Sequence, residues 1–393
     1  MPPITFAAIG VSFNFGSMNL TKKQFEVIAL LEQYADAAIK DYLSRFHPTS
    51  GAIVSTARTQ EDLRIIMYSN SLDCKALDGC VEFIRNLDIE DNELFSRARL
   101  GAIQQTNRRR DRPELILSDL MRKQWFNDSK YGYSATVSFE AITSLNVQDA
   151  VQVWSMLQEV RKEYIVSNRT VVQIAPDDYQ INHSLSVNNQ FILEQTSPTR
   201  FFNLKQNEDS RICHIYCSFQ VGGLQSDNFG AFTLAAALLG GGPGSLLFEH
   251  LRESQGLCYR VGARYLAYQP CGLIFLNTIT NPELALPLLN GIALCLDILA
   301  TERITSLSLE EKKNDLLEKA RLASEDPIAL LNSYINGFGH TNEDPNTFWT
   351  RSLEAVDVTS AQELCANTFC KEKMAITSQV QSDFAPKIQE WLE

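Results

Sequence analysis

The chain has 393 residues, 45% of them hydrophobic, and 47 Asp and Glu against 35 Lys and Arg give a formal net charge of −12. That length accommodates two or three domains with sizeable cores. The acid excess excludes the basic footprint that a nucleic-acid backbone requires, so no nucleic acid is expected as a partner.

In chain order, an alternating strand is predicted from Phe6 to Phe15, ending at Gly16, and a long helix from Gln24 to about Leu43. Strands at Gly51–Ser55 and Leu63–Ser69 and helices at Lys75–Leu87 and Asn92–Thr106 follow, the last stopping before Asp111-Arg112-Pro113. The run Arg108-Arg109-Arg110-Asp111-Arg112 reads as a solvated helix face, with a grip on an acidic peptide as its other use. The same order then recurs at an offset of about two hundred residues. A strand at Ile212–Val221 closes on Gly222-Gly223, a helix begins near Asn228, and strands follow at Tyr259–Tyr265 and Gly272–Thr280. The helix Pro282–Ala300 spaces Leu284, Leu288, Leu289 and Ile292 by threes and fours, and a charged helix Leu309–Ala323 stops before Glu325-Asp326-Pro327. Glu140-Ala141-Ile142 and Val147 have counterparts in Glu354-Ala355-Val356 and Val358, and each half closes on a short strand, Thr170–Ile174 and Lys373–Gln379.

The fold class expected from this repeat is α+β: two homologous α/β-sandwich domains, each a mainly antiparallel sheet with helices packed on one face. Their expected bounds are residues 1–178 and 209–393, joined by a polar linker at 179–208. Nine scattered cysteines without a C-x-x-C pair point to a reducing compartment. In Cys213-His214-Ile215-Tyr216-Cys217, strand alternation sets both cysteines on one face and His214 on the other, which argues against a ligand cluster. The N-terminus reads as neither a secretory leader nor a membrane anchor, and no run is read as approaching the ~18 apolar residues of a membrane span. A cytoplasmic location is the default, or an organelle matrix if a transit peptide was removed.

The segment from Leu238 through Gly240-Gly241-Gly242-Pro243-Gly244-Ser245 to Leu251-Arg252-Glu253 and Gly256-Leu257-Cys258-Tyr259 resembles the C-terminal domain of pitrilysin/insulinase-type zinc peptidases, the inverted zincins. Those proteins carry a glycine turn, a serine-led helix ending in Leu-Arg-Glu, and Gly-Leu-x-Tyr entering a strand. The resemblance implies that active members place H-x-x-E-H on the first long helix, two histidines and a later glutamate holding zinc while the motif's glutamate acts as general base. Here that motif falls on Ala29-Leu30-Leu31-Glu32-Gln33, and the distal glutamate falls near Gln104-Gln105. Only Glu32 matches; as a helix carboxylate it is expected to be solvated, with a relic on a cavity wall as the alternative. None of the five histidines forms an i, i+4 pair, so no metal is expected in this chain.

Arg252 and Tyr259 match the family's arginine–tyrosine pair, which the resemblance implies reaches a partner's active site and contacts substrate in trans. The glycines Gly240, Gly241, Gly242 and Gly244 are expected to form a tight turn that lines a substrate path. A phosphate loop is the lesser reading, because no Lys-Ser/Thr pair follows. The implied function is the non-catalytic, substrate-binding subunit of a heterodimeric metallopeptidase acting on peptides, leaders or presequences. Its partners would be a homologous H-x-x-E-H subunit, holding the zinc, and a peptide substrate. A core-type scaffold subunit and a stand-alone peptide-binding homodimer stay open as alternatives. The family's first domain begins with a strand not seen before Phe6, so the first sheet is expected to be shorter or to end in an open edge.

Overall fold

The computed structural model describes residues 7–69, 75–127, 129–167, 170–174, 200–204, 210–301, 304–341 and 344–393. The expected linker at 179–208 lies outside the described residues except for 200–204.

In the first half, β1 (Ala7–Asn14) is the centre of a five-stranded sheet and α1 (Lys22–Phe46) packs beneath it. A capping box starts α1: the Thr21 side chain accepts from the Gln24 backbone N–H, and the Gln24 side chain answers at the Thr21 N–H. The strands β2 (Ile53–Arg58) and β3 (Asp62–Ser69) form a hairpin, and α2 (Lys75–Arg85) and α3 (Asn92–Arg110) follow. Next come α4 (Pro113–Phe126), α5 (Phe139–Ser144), α6 (Val147–Gln158), β4 (Arg161–Ser167) and β5 (Thr170–Ile174). The sheet order is β2-β3-β1-β4-β5, antiparallel throughout. Its core lies between β1 and α1, where Val11, Phe13, Phe25 and Ile28 are fully buried.

The second sheet repeats this plan. It runs β6-β10-β7-β9-β8, from β6 (Phe201–Asn203), β7 (Cys213–Gly222), β8 (Arg260–Ala267), β9 (Cys271–Thr280) and β10 (Ala375–Gln379). Between and after these strands lie α7 (Phe229–Gly240), α8 (Ala285–Thr301), α9 (Ser306–Ala323), α10 (Pro327–Thr341), α11 (Pro345–Glu354), α12 (Val358–Thr368) and α13 (Ala385–Leu392). Asn146 and Asp357, which open α6 and α12, both form capping boxes, so the duplication extends to a helix start. The strand answering β10 is β4 rather than Thr170–Ile174, since each pairs antiparallel with its central strand. The edge strands differ: β5 is antiparallel to β4, whereas β6 is parallel to β10. Nor is the first sheet a strand short, because β5 fills its edge.

The helical layer on one face of each sheet is as expected, and each sheet's other face carries one helix from the opposite half of the chain. Compact unit one comprises Met1–Asp111, Asp128–Gln190 and Ala320–Pro345; unit two comprises Arg112–Asn127, Phe191–Lys319 and Asn346–Glu393. Within unit one, Leu330, Leu331 and Ile335 of α10 cover Ala8, Ile66 and Tyr164. Asn332 and Asn336 accept hydrogen bonds from the buried Arg64 guanidinium at 3.0 and 2.8 Å. Within unit two, Trp125 of α4 donates to the Ser218 hydroxyl at 2.8 Å, and Gln124 pairs with Thr377. Both helices begin with a proline, which suits the first turn, where its missing N–H costs nothing.

One expectation on membrane spans needs correction. The helical stretch Pro282–Thr301 reaches 20 residues at a mean hydropathy of 1.9, long and apolar enough to cross a bilayer by length and composition. Its apolarity has a use in unit two, where Leu288, Leu289, Ile292 and Cys295 are fully buried in the core.

Cys213 and Cys217 both enter the core while His214 lies on the opposite face of β7, as alternation required. Burial pushes the thiols of Cys80, Cys213, Cys217 and Cys365 up to about 12 and those of Cys258 and Cys295 up to about 11. Thiolate is the reactive form, so these residues are inert at neutral pH. Cys370 is the one free cysteine among the described residues that is not buried. Timed alkylation of the native protein, read by peptide mass mapping, is expected to modify Cys370 well before those six.

Candidate functional site

The first group of interest is built on α1 and α3. An apolar run buries α1 against the sheet, and Glu32, which follows Ile28 to Leu31, is carried inside with only 5% of its surface exposed. A buried carboxylate requires a counter-charge, and Arg58 at the end of β2 supplies it, its Nε 3.7 Å from Glu32 Oε2. That guanidinium also donates to the Ala135 carbonyl at 3.0 Å and lies 4.7 Å over the Phe25 ring. From α3, the Gln105 amide donates to Glu32 Oε1 at 3.4 Å, while Gln104 faces solvent. The structure thus brings Glu32 and Gln105 together, beside Ala29 and Gln33 one turn before and one residue after on the same helix.

Glu32 is therefore neither solvated nor on an open wall; it is one end of a buried ion pair. Arg58 was missed by sequence reasoning. The available signal was a carboxylate inside an apolar helical run, which demands a cation without saying which. Zinc does not fit these residues. It takes imidazole, thiolate or carboxylate donors, Ala29 offers none, Gln33 and Gln105 offer only neutral amides, and Arg58 would set a positive charge beside the ion. Among the described residues, no group of three or more His, Cys, Asp or Glu could hold a metal.

The second group follows α7. Gly242 and Gly244 have φ of +111° and +75°, which L side chains rarely adopt, so the turn is written by glycine. Gly240 answers a different need, since a Cβ there would run into the backbone nitrogen of Ala263 on β8. At Gly241 it would collide with the Ala237 carbonyl one turn back. The Ser245 hydroxyl closes the turn by donating to the Gly242 carbonyl at 2.5 Å. The following helix is not α-helical over Phe248–Ser254 but of the wider π type, which favours functional positions. Gly256, at φ +61°, ends it, and the Leu257 N–H donates back to the Leu251 carbonyl at 2.8 Å.

Arg252 lies in the last turn of that π-helix with nearly half its side chain exposed. Its guanidinium is 4.9 Å over the Phe248 ring and only loosely paired with Glu253, at 3.9 Å. Tyr259 is 61% exposed just ahead of β8, tied by its N–H to the Ile279 carbonyl at 2.8 Å and by its hydroxyl to Asn281 at 3.1 Å. A tyrosine serving only to pack a strand would be buried; this one leaves most of its surface exposed and holds its hydroxyl on Asn281. Arg108, Arg110 and Arg112 are exposed as expected, while Arg109 turns inward to the Thr136 hydroxyl at 3.2 Å.

Comparison with known proteins bears on this second group. Residues 185–316, which include the glycine turn, Arg252 and Tyr259, match the family described as Peptidase M16 inactive domain. Over those residues the chain is similar to the M16 peptidase family. The Bacillus subtilis (strain 168) protein named uncharacterized zinc protease YmxG is 21% identical over 352 residues, 82% of this chain and 80% of that protein. Three solved structures share the fold. A protease from Helicobacter pylori superposes with a TM-score of 0.77 at 13% identity, covering 96% of this chain and 94% of its own. A Peptidase M16 inactive domain from Pseudomonas fluorescens gives 0.73 at 13%, covering 96% and 93%. A chain of Complex III2 from Candida albicans gives 0.72 at 10%, covering 96% and 92%. The M16 inactive-domain match fits a chain whose positions Ala29, Gln33 and Gln105 offer no zinc donor.

Proposed function

We propose that this chain is the non-catalytic, substrate-binding subunit of a heterodimeric zinc metallopeptidase that cleaves peptides or leader sequences. The observation that carries the reading is a contrast within one chain: the glycine turn with Arg252 and Tyr259 is intact, whereas the metal positions hold Ala29, Gln33 and Gln105. Selection for stability alone has no use for an arginine and a tyrosine held out in solvent beside a glycine-built turn.

Zinc and the general-base glutamate belong, on this reading, to a partner subunit bearing H-x-x-E-H. Arg252 then offers a permanently charged fork of donors to substrate carbonyl oxygens. The Tyr259 hydroxyl, turning from Asn281, donates to the oxyanion that develops as the scissile carbonyl becomes tetrahedral. Gly242 and Gly244, where a Cβ would meet nothing within 4 Å, let the backbone approach an extended peptide closely. Native co-purification from the source cell is the test, with zinc content and peptide hydrolysis measured on the recovered complex. A stoichiometric H-x-x-E-H partner, with zinc and activity only in the complex, supports the reading; a zinc-free, inactive homodimer overturns it.

The likeness to a chain of Complex III2 favours a second reading, a scaffold subunit. A scaffold tolerates loss of Arg252 and Tyr259 without any change in the assembly's activity, and a peptidase subunit does not.

A further inference from the structure

Unit two carries a second constructed surface, on the face of its sheet away from α7 and α8. Three register rows cross it: His214, Ile279 and Arg260; Tyr216, Asn277 and Gly262; Ser218, Phe275 and Arg264. The α4 helix covers the β7 side and forms a wall with Glu114, Leu115 and Ser118; the β8 side is open. Between wall and open edge lies a cavity of about 180 Å³. That is small beside the few hundred Å³ of a small-molecule site and suits one side chain or one chain terminus.

The chemistry of the cavity is directional. Arg260 and Arg264 stand at its two ends with exposed side chains, and among the described residues neither forms a hydrogen bond or ion pair. Between them Gly262 leaves a gap above Asn277, since a Cβ there would stand 3.4 Å from the Asn277 amide oxygen. His214 Nδ1 is buried without a hydrogen-bond partner. Burial holds that imidazole below its ordinary pKa, opposed by the Glu114 carboxylate and reinforced by Arg260, so it is a neutral group with one donor to give. The Tyr216 hydroxyl is already committed to the Glu114 carbonyl at 3.4 Å. Two unpaired guanidinia thus face a single carboxylate, that of Glu114, while Leu115, Phe275 and Ile279 supply apolar walls.

We propose that this cup binds a carboxylate of an extended peptide, held by Arg260 and Arg264 with the adjoining carbons against Leu115, Phe275 and Ile279. A carboxylate matches the guanidinium fork, and two of its oxygens can be shared between the arginines and the Asn277 amide. The cup selects peptides by an acidic residue or a free C-terminus. It rests on the peptide-binding role proposed above and names the feature of the peptide that is recognised.

Three fluorescent peptides of one sequence test it: one with an internal glutamate and an amidated C-terminus, one with glutamine there and a free C-terminus, and one with glutamine and an amide. Each is titrated by anisotropy into the chain with its co-purifying subunit, as wild type, as Arg260→Gln/Arg264→Gln, and as Arg45→Gln, an exposed arginine of α1 outside the cup. A carboxylate-bearing peptide is expected to bind about tenfold or more tighter than the neutral one, from one charge-assisted pair. That advantage shrinks with salt, vanishes in the double cup variant and persists in Arg45→Gln. The arm that shows it identifies side chain or terminus as the source. Equal binding of all three peptides, or an advantage that survives in Arg260→Gln/Arg264→Gln, overturns the cup and leaves the peptide role standing. Binding of no peptide overturns that role, and glutarate titrated into wild type and cup variant by NMR then decides the cup alone; unchanged spectra overturn it.

Discussion

Tyr259→Phe in the assembled peptidase is expected to lower kcat by about 10²–10³-fold, the loss typical of removing one donor to a developing oxyanion. Arg252→Ala is expected to raise KM and to lower kcat/KM, because a guanidinium that holds substrate carbonyls acts in ground and transition states alike. Both side chains are exposed and neither belongs to a core cluster, so the melting temperature and the partner stoichiometry are expected to be unchanged; exposed substitutions of this kind fall within about 0.5 kcal/mol. The double variant is expected to lose less than the product of the two single losses, since groups acting on one substrate are not additive. Steady-state kinetics on the purified complex provides the check. Wild-type turnover in both single variants, with assembly intact, would leave only the scaffold reading.

Glu32→Ala is expected to cost about 3–5 kcal/mol of stability, because it strands a buried guanidinium. Both partners are nearly inaccessible, with side-chain exposures of 5% for Arg58 and 6% for Glu32, so water cannot replace the lost carboxylate. Removing the pair together, as Glu32→Leu with Arg58→Met, is expected to be close to neutral, since the desolvation of both charges is then avoided. Urea denaturation of the three variants decides. A Glu32→Ala loss below about 1 kcal/mol, the range of exposed ion pairs, would mean that the pair is solvated in solution.

Where periodicity was strong, the sequence was readable. The burial of α1 follows its apolar stripe, the β2–β3 and β8–β9 hairpins follow from short alternating runs, and the duplication reappears as one strand order in both sheets. What escaped was non-local or without a compositional mark. The prolines at 113 and 327 announce two helices but not the sheet each covers, because destination is set by tertiary packing. The widening to π geometry at Phe248–Ser254 changes hydrogen-bond spacing without changing residue type. The match of β10 to β4 depends on pairing, which no window of sequence contains. At the metal positions the loss of donors was legible in Ala29, Gln33 and Gln105. The guanidinium that fills the electrostatic gap was not, since Arg58 is distant in sequence and sits on a strand whose pattern is otherwise half exposed.

Ribosomal synthesis runs in one direction, and α10 gives that direction a cost. Arg64 waits for hydrogen-bond partners encoded 268 and 272 residues later. Until those residues emerge, Ala8, Ile66 and Tyr164 form an uncovered apolar face on a sheet whose strands are already made. A nascent chain paused in its second half before α10 has emerged therefore displays a sticky surface of the kind that chaperones recognise and neighbouring chains aggregate through.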